Sequence, residues 1–344
     1  MGRKRKAGLT SVLSSLPAEV RLSFAPTSTS VQEHELPEAS PIDVEDLIVQ
    51  RVHVSQPTPT PSQKPPTEIT AEVSDAPTAP ARKKQRISDH QSSTIFSLEN
   101  IATNISLHYK NQKSVPQHLK KYFAQRHRFF SLYDEGCLLD EEGWYSVTPE
   151  KIALQIAERC RCDTVIDAFC GVGGNTIAFA QTCERVIALD ISPTRLAIAR
   201  HNATIYGVAD RIEFILCDYV SFARSLASQG RHVDVVFLSP PWGGPSYISS
   251  STEVGANLGS EDAQSSIYTL NNLLPIPGTE LFTISHKISR NVAMYLPRNT
   301  DVGEIGALAP PGENVEIEEE WMGSKLKALT CYFGGLARGQ AHLF

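Results

Sequence analysis

The residues with the clearest chemical purpose lie between positions 167 and 245. Asp167-Ala-Phe-Cys-Gly171-Val-Gly173-Gly174-Asn175-Thr176 puts an acid at the head of a glycine loop. Glycines at this spacing let the backbone turn sharply and come close to a ligand. Thr176 stands where a dinucleotide loop would carry its third glycine, so a dinucleotide is not the expected occupant. A carboxylate facing a helix N-terminus repels phosphate and suits a cationic, amine-bearing ligand. S-adenosyl-L-methionine is such a ligand, and Asp167, Gly171, Gly173 and Asn175 are its candidate contacts.

Two further acids extend this set. Asp190 comes about 20 residues after Gly171, the distance at which doubly wound folds set an acid against ribose hydroxyls. Asp218, in Cys217-Asp218-Tyr219, is a candidate acceptor for an adenine amino group, with an aromatic ring beside it. Either acid alone would read as an ordinary turn residue. Their spacing from the glycine loop argues for a shared ligand.

The most specific signature is Ser239-Pro240-Pro241-Trp242-Gly243-Gly244-Pro245. An exocyclic amine conjugated to a base ring is a poor nucleophile, because its lone pair is delocalised. A side-chain oxygen and a backbone carbonyl held by two rigid prolines can accept its two hydrogens and aim the lone pair at a methyl group. Ser239 and Pro240 are the candidate acceptors, and Trp242 the ring that stacks on the base, worth about 1–3 kcal/mol.

Elements that would position these groups can be read around them. Short apolar strands at 164–169, 185–189, 211–216 and 233–238 alternate with helical stretches at 175–182, 193–206 and 221–227. Repeated strand–helix units mean an α/β fold with a mainly parallel sheet. A further helix over 277–288 and a strand at 292–296 follow, then two late strands at 315–319 and 326–333 that can pair antiparallel. Upstream, 118–130 is helix-compatible, and Thr148-Pro149 reads as an N-cap followed by the first residue of a helix. The expected organisation is residues 1–95 without stable structure, a helical lobe over 96–160, and a catalytic domain over 161–344.

Composition sets the bounds. Of 344 residues, 41% are hydrophobic, enough for a sizeable core. Phe24 is the sole Phe, Tyr or Trp before Phe96, and half of the 22 prolines fall before position 91. A stretch so poor in aromatics cannot bury enough apolar surface to offset its ordering entropy. It does carry two basic clusters, at 3–6 and 82–86, which read as nuclear-import or RNA-contacting runs. Residues 43–54 hold a short apolar-acidic pattern compatible with a partner-binding helix, and 246–266 reads as a mobile Ser/Gly-rich loop. The formal net charge of −6 excludes a global basic field but allows a local basic channel. Seven cysteines without CxxC spacing offer no zinc set, and no metal is expected. No long apolar run predicts a membrane span, so an intracellular protein is expected.

With these segments in view, the chain resembles the trimethylguanosine synthase family, which methylates the guanine amino group of 7-methylguanosine RNA caps. The resemblance rests on KYFAQRHRFF at 121–130, GWYSVTPEKI at 143–152, DAFCGVGGNT, SPPWGGP, YLPRNTD at 295–301 and the stretch 325–333. It implies a Rossmann-like class I S-adenosylmethionine-dependent methyltransferase with a small N-terminal helical lobe. It also implies that Tyr145, Ser146 and Thr148 close over the cofactor beside Asp167, Asp190 and Asp218. Trp242 would stack on the methylated guanine, with Phe130 a further aromatic and Lys121, Tyr247 and Arg298 near the cap phosphates. The implied partners are capped small nuclear and nucleolar RNAs and ribonucleoprotein core proteins, in the nucleus and nucleolus. A positively charged 7-methylguanine stacked on an indole gains about 0.5–2 kcal/mol over a neutral base, which suits a Trp here. Two rivals remain at this stage. One is methylation of a base amine inside DNA or ribosomal RNA, which would need a base-flipping surface. The other is a cap-binding assembly factor without catalysis, against which the intact cofactor motif argues.

Overall fold

The computed structural model describes residues 49–55, 108–243 and 267–344. Both basic clusters, residues 43–48, Gly244, Pro245, Tyr247 and the Ser/Gly-rich stretch from 246 to 266 lie outside the described residues.

One eight-stranded sheet organises the described chain. Its strands are β1 (Val49–Ser55), β2 (Thr164–Asp167), β3 (Arg185–Asp190), β4 (Ile212–Leu216), β5 (Val235–Leu238), β6 (Asn291–Pro297), β7 (Asn314–Met322) and β8 (Lys325–Tyr332). The spatial order is β1-β7-β8-β6-β5-β2-β3-β4. Strands β2 to β6 pair parallel with one another, while β7, β8 and β1 add antiparallel. From β2 the chain runs outward through β3 and β4, then returns to β5 on the other side of β2, so the order reverses between β2 and β5.

Helices cover both faces, and the strand sequences show why. Val-Val-Phe-Leu of β5 is apolar at every position and fully buried, as parallel strands covered on both sides require. Alternate residues feed two separate cores: Val165, Val186, Ala188, Val235 and Phe237 face one, Ile166, Ile187, Leu189, Val236 and Leu238 the other.

Every element between 112 and 159 is helical: α1 (Lys120–Phe123), α2 (Arg126–Phe129), α3 (Gly143–Ser146), α4 (Glu150–Arg159) and two 3-10 turns before α1, with a third at Tyr133–Glu135. The expected continuous helix over 118–130 is broken at Ala124-Gln125 into α1 and α2. The break seats Phe123 against Tyr133 and Trp144, with ring centroids 6.1 and 6.0 Å apart. Pro149, not Thr148, caps α4. Thr148 is buried, and its hydroxyl instead accepts from Asn175.

The lobe is fastened to α6 (Pro193–Ile205), which opens with Ser192 as N-cap and Pro193 at its first position. Asn202 is fully buried; its oxygen accepts from Leu138 N at 2.8 Å and its amide donates to Leu138 O and Val172 O. Arg195 pairs with Asp140 at 3.2 Å and with Glu142.

Strand β1 differs from the composition-based expectation that its region lacks order, and from the helix considered for 43–54. Val49–Ser55 pairs antiparallel along β7, with Val49, Arg51 and His53 as register partners of Glu320, Glu318 and Glu316. Val52 and Val54 supply β-branched residues at strand spacing. The three glutamates are fully buried on one face of β7. Arg159 from α4 forms a two-pronged pair with Glu316 at 2.9 and 3.2 Å, Gln155 donates to Glu318 at 2.8 Å, and Thr330 donates to Glu320 at 2.5 Å. Burial pushes the Glu320 carboxyl up to about 8.

Candidate active site

The predicted site residues gather at the carboxyl ends of the parallel strands. Asp167 ends β2, Asp190 ends β3, Asp218 follows β4 and Ser239 follows β5. Ligands of open α/β sheets bind in the crevice outside these ends, where the strand order reverses.

The glycine loop runs from β2 into α5 (Gly174–Thr182). Gly171 and Gly173 have φ of 52° and 94°, left-handed values that other residues resist. A Cβ on Gly173 would lie 3.1 Å from Ala199, whereas one on Gly171 would meet nothing within 4 Å. The loop therefore packs tightly on α6 through Gly173 and leaves open space beside Gly171. Asp190 ties the loop down: one oxygen accepts from Gly171 N at 3.0 Å, the other from Ser192 N at 2.8 Å.

Asp167 is fully buried. One oxygen accepts from the Thr176 hydroxyl at 2.6 Å, and the other has no hydrogen-bond partner among the described residues. Burial pushes this carboxyl up to about 7. Asn175 is similar: its amide donates to Thr148 at 2.9 Å while its buried oxygen has no partner among the described residues. Such orphaned acceptors call for a donor from a ligand. These acceptors beside an open glycine loop fit the ammonium of S-adenosylmethionine.

The lobe meets the same loop. Thr148 bonds Asn175, and a Cβ on Gly174 would lie 2.8 Å from Val147. Tyr145 is half-buried and Ser146 exposed on this segment. Tyr145 faces Tyr122 with ring centroids 6.2 Å apart, and exposed Lys121 sets its ammonium 4.8 Å from the Tyr122 ring.

Ser239 donates its hydroxyl to Phe169 O at 3.3 Å, which joins the Ser-Pro-Pro-Trp segment to the glycine loop. Pro240 is buried, and Pro241 O accepts from Leu274 N at 3.2 Å. Trp242 is half-buried; its indole N–H donates to Tyr295 O at 3.3 Å and its ring lies 5.5 Å from that of Tyr295.

Two expectations need correction. Phe130 is 2% exposed and packs in the core beside Tyr206, so it offers no surface to a substrate. Tyr219 is also a core residue, its hydroxyl bonded to Ser285 at 2.6 Å, and gives no ring to an adenine. Asp218 spends both oxygens on the first turn of α7 (Tyr219–Ser228), accepting from Val220 N and Ser221 N. Its remaining lone pairs are still able to accept from an amine.

A basic cluster escaped sequence reasoning. Exposed Arg298 donates to Leu326 O at 3.4 Å. Burial, then Lys325, Arg128 and Arg298, hold the Lys327 ammonium below its ordinary value. Four cations from α2, β8 and the end of β6 thus share one locality in a chain of net charge −6. The Lys-Leu-Lys alternation at 325–327 was the available signal.

A doubly wound sheet with an acid-headed glycine loop at its switch point, tied to a Ser-Pro-Pro-Trp segment, defines an S-adenosylmethionine-dependent methyltransferase. A family model described as RNA cap guanine-N2 methyltransferase matches residues 162–336. The chain is 41% identical over 232 residues to trimethylguanosine synthase of Schizosaccharomyces pombe, covering 65% of this chain and 90% of that protein. It is 34% identical over 207 residues to trimethylguanosine synthase of Saccharomyces cerevisiae, covering 57% of this chain and 61% of that protein. It is also similar to the solved SAM-dependent methyltransferase of Agrobacterium tumefaciens, at 17% identity and a TM-score of 0.37 over 55% of this chain and 63% of that one. The chain belongs to the RNA cap guanine-N2 methyltransferase family, and its methyl donor is S-adenosylmethionine.

Proposed function

We propose that the chain converts the 7-methylguanosine cap of small nuclear and nucleolar RNAs to the 2,2,7-trimethyl form, acting in the nucleus and nucleolus beside ribonucleoprotein core proteins. The observation that carries the assignment of roles is the Ser239–Phe169 bond, which couples the amine-orienting segment to the cofactor loop. S-adenosylmethionine supplies an electrophilic methyl on a sulfonium, open to direct displacement by the cap amine.

The residues divide the remaining work. Asp167 and the Asn175 oxygen favour the cationic end of the cofactor, Asp190 holds the loop and meets the ribose, and Asp218 accepts from the adenine. Tyr145, Ser146 and Thr148 cover the cofactor from the lobe. By donating to Phe169 O, Ser239 keeps its own lone pairs available to accept from the guanine amine, and Pro240 O accepts the second hydrogen. Trp242 stacks on the cationic base, its indole plane held by Tyr295. Lys121 and Arg298, with Lys327 and its neighbours, carry positive charge toward the cap phosphates. Phe130 supports the lobe from the core. In-line positioning of amine and methyl then supplies the main rate term.

The test is incubation with labelled S-adenosylmethionine and short RNAs capped with and without the 7-methyl group. Two methyls on the guanine N2 of the 7-methylated cap alone are expected. Equal labelling of both RNAs would sink the cation-recognition part of the proposal.

A further inference from the structure

The cysteines that the site leaves unused are not equivalent. Cys160 and Cys331 are fully enclosed in the cores, as small hydrophobes are. Cys162 and Cys183 differ: their sulfurs lie 3.9 Å apart, with the Cys162 thiol donating to Cys183. Cys162 is half-buried and so reachable from solvent, while Cys183 is buried. The backbone explains the approach. Strands β2 and β3 pair with Thr164 opposite Arg185, and the ladder continues upstream as Arg185 N to Asp163 O and Glu184 N to Cys162 O. Two residues back from the Thr164–Arg185 pair, Cys162 and Cys183 stand side by side on one face. Neighbouring strands lie about 4.8 Å apart, within the Cα separation of about 4.4–6.8 Å that a disulfide accepts.

We propose that Cys162 and Cys183 are a peroxide-oxidisable dithiol that closes a reversible disulfide across the base of the β2–glycine loop–α5 unit. The Cys162 sulfur, the one reachable from solvent, takes an oxygen from a hydroperoxide, whose O–O bond breaks and whose other oxygen leaves as water or alcohol. The Cys183 sulfur then attacks the sulfenic sulfur; the S–S bond forms, the S–O bond breaks and water leaves. Two thiols lose two electrons and the peroxide gains them. Hydrogen bonding from Cys162 draws the Cys183 thiol below its ordinary range, which favours Cys183 as the attacking sulfur. Thiol pools of a reducing compartment would reopen the bond, so it reports oxidation rather than serving as a permanent staple.

The pair lies at the amino ends of β2 and β3, whereas Asp167 and Asp190 lie at their carboxyl ends. Oxidation therefore ties together the two ends of the unit that carries the cofactor loop without entering the site. A stabilised protein with unchanged cofactor affinity is the expected oxidised form.

The experiment uses the reduced full chain and a small excess of hydrogen peroxide. Intact mass should fall by two hydrogens, peptide mapping should join Cys162 to Cys183, and Tm should rise by roughly 5 °C. Dithiothreitol should reverse all three. Cys162→Ser should abolish the cross-link and the Tm rise, and Cys160→Ser should keep both. Cys162 is half-buried, so its serine variant carries the test even if Cys183→Ser does not fold. Oxygen addition without a cross-link, a bond to another cysteine, or a cross-link that leaves Tm unmoved overturns the proposal.

Discussion

Asp167 holds its proton near neutral pH in the ligand-free protein, because full burial outweighs the Thr176 hydroxyl and the Phe169 backbone N–H, which both favour the ionised form. A cationic ligand prefers the ionised form. Affinity for sinefungin, a cationic analogue, should fall as pH drops below about 7, approaching tenfold per unit once the carboxyl is mostly protonated. The ligand-free fold shifts the other way: a carboxyl raised on folding contributes stability at low pH and loses it as pH rises through about 7. Asp167→Asn keeps the shape and should flatten the affinity profile; calorimetry across about pH 6 to 8 decides this. If the variant keeps the wild-type slope, another group titrates. Trp242→Ala should weaken binding of the 7-methylguanosine cap at least about tenfold, and Trp242→Phe less, because a smaller ring stacks but attracts a cation more weakly. Fluorescence titration with caps bearing and lacking the 7-methyl group measures both, and discrimination should shrink in the Phe variant. The places of Asp167 at a strand end and of Trp242 just past one were legible from contiguous motifs, and that of Asp190 from its distance to Gly171. Phe130 and Tyr219 were not, since an aromatic in the right segment says nothing about which way packing will turn it. The cluster around Lys327 comes from three separate segments, and the Lys-Leu-Lys alternation announces only its β8 part.

Elements fared by the length of their pattern. The strand–helix alternation from 164 to 238 could be read from apolar runs and breaks alone, and the observed bounds shift by no more than a few residues. Thr148 failed as a cap because propensity cannot know that Asn175 competes for its hydroxyl. Strand β1 failed because seven residues of alternation are outweighed by the composition around them. The docking of lobe on α6 was invisible for the same reason as the basic cluster, and it matters for function. Asn202→Ala would strip partners from the part-buried Leu138 backbone and from the buried Val172 carbonyl, the latter at about 1–3 kcal/mol. A clear drop in Tm by scanning calorimetry is expected. Arg195→Ala loosens the Asp140–Glu142 end of the lobe, next to Tyr145–Thr148. It should raise the Kd for cofactor severalfold with a small change in Tm; the reverse balance would make the lobe a structural prop.

At the scale of the whole molecule, a net charge of −6 opposes RNA, so local charge must overcome it. Lys325→Ala with Lys327→Ala should weaken binding of capped RNA while leaving the free 7-methylguanosine nucleoside almost unaffected. It should also flatten the dependence of log affinity on log salt by about one unit per lost phosphate contact. Binding isotherms at several salt concentrations test this; an unchanged slope would remove these lysines from the phosphate path. The same scale governs truncation. Removing residues 1–48 leaves β1 in place, and activity on a cap dinucleotide should survive. Removing 1–55 strips the sheet of its edge and should lower Tm, whatever the activity.

That exposed edge has a consequence for how copies of the protein meet. A bare strand is a template for another chain, and two truncated copies would seek each other through β7. Glu316, Glu318 and Glu320 would then confront the same row on the second copy, and like charges set opposite one another oppose pairing. The chain lacking 1–55 should sediment as a monomer at neutral pH and self-associate as acid removes the repulsion, while the full chain stays monomeric throughout. Association already at neutral pH would show that the glutamate row does not keep copies apart.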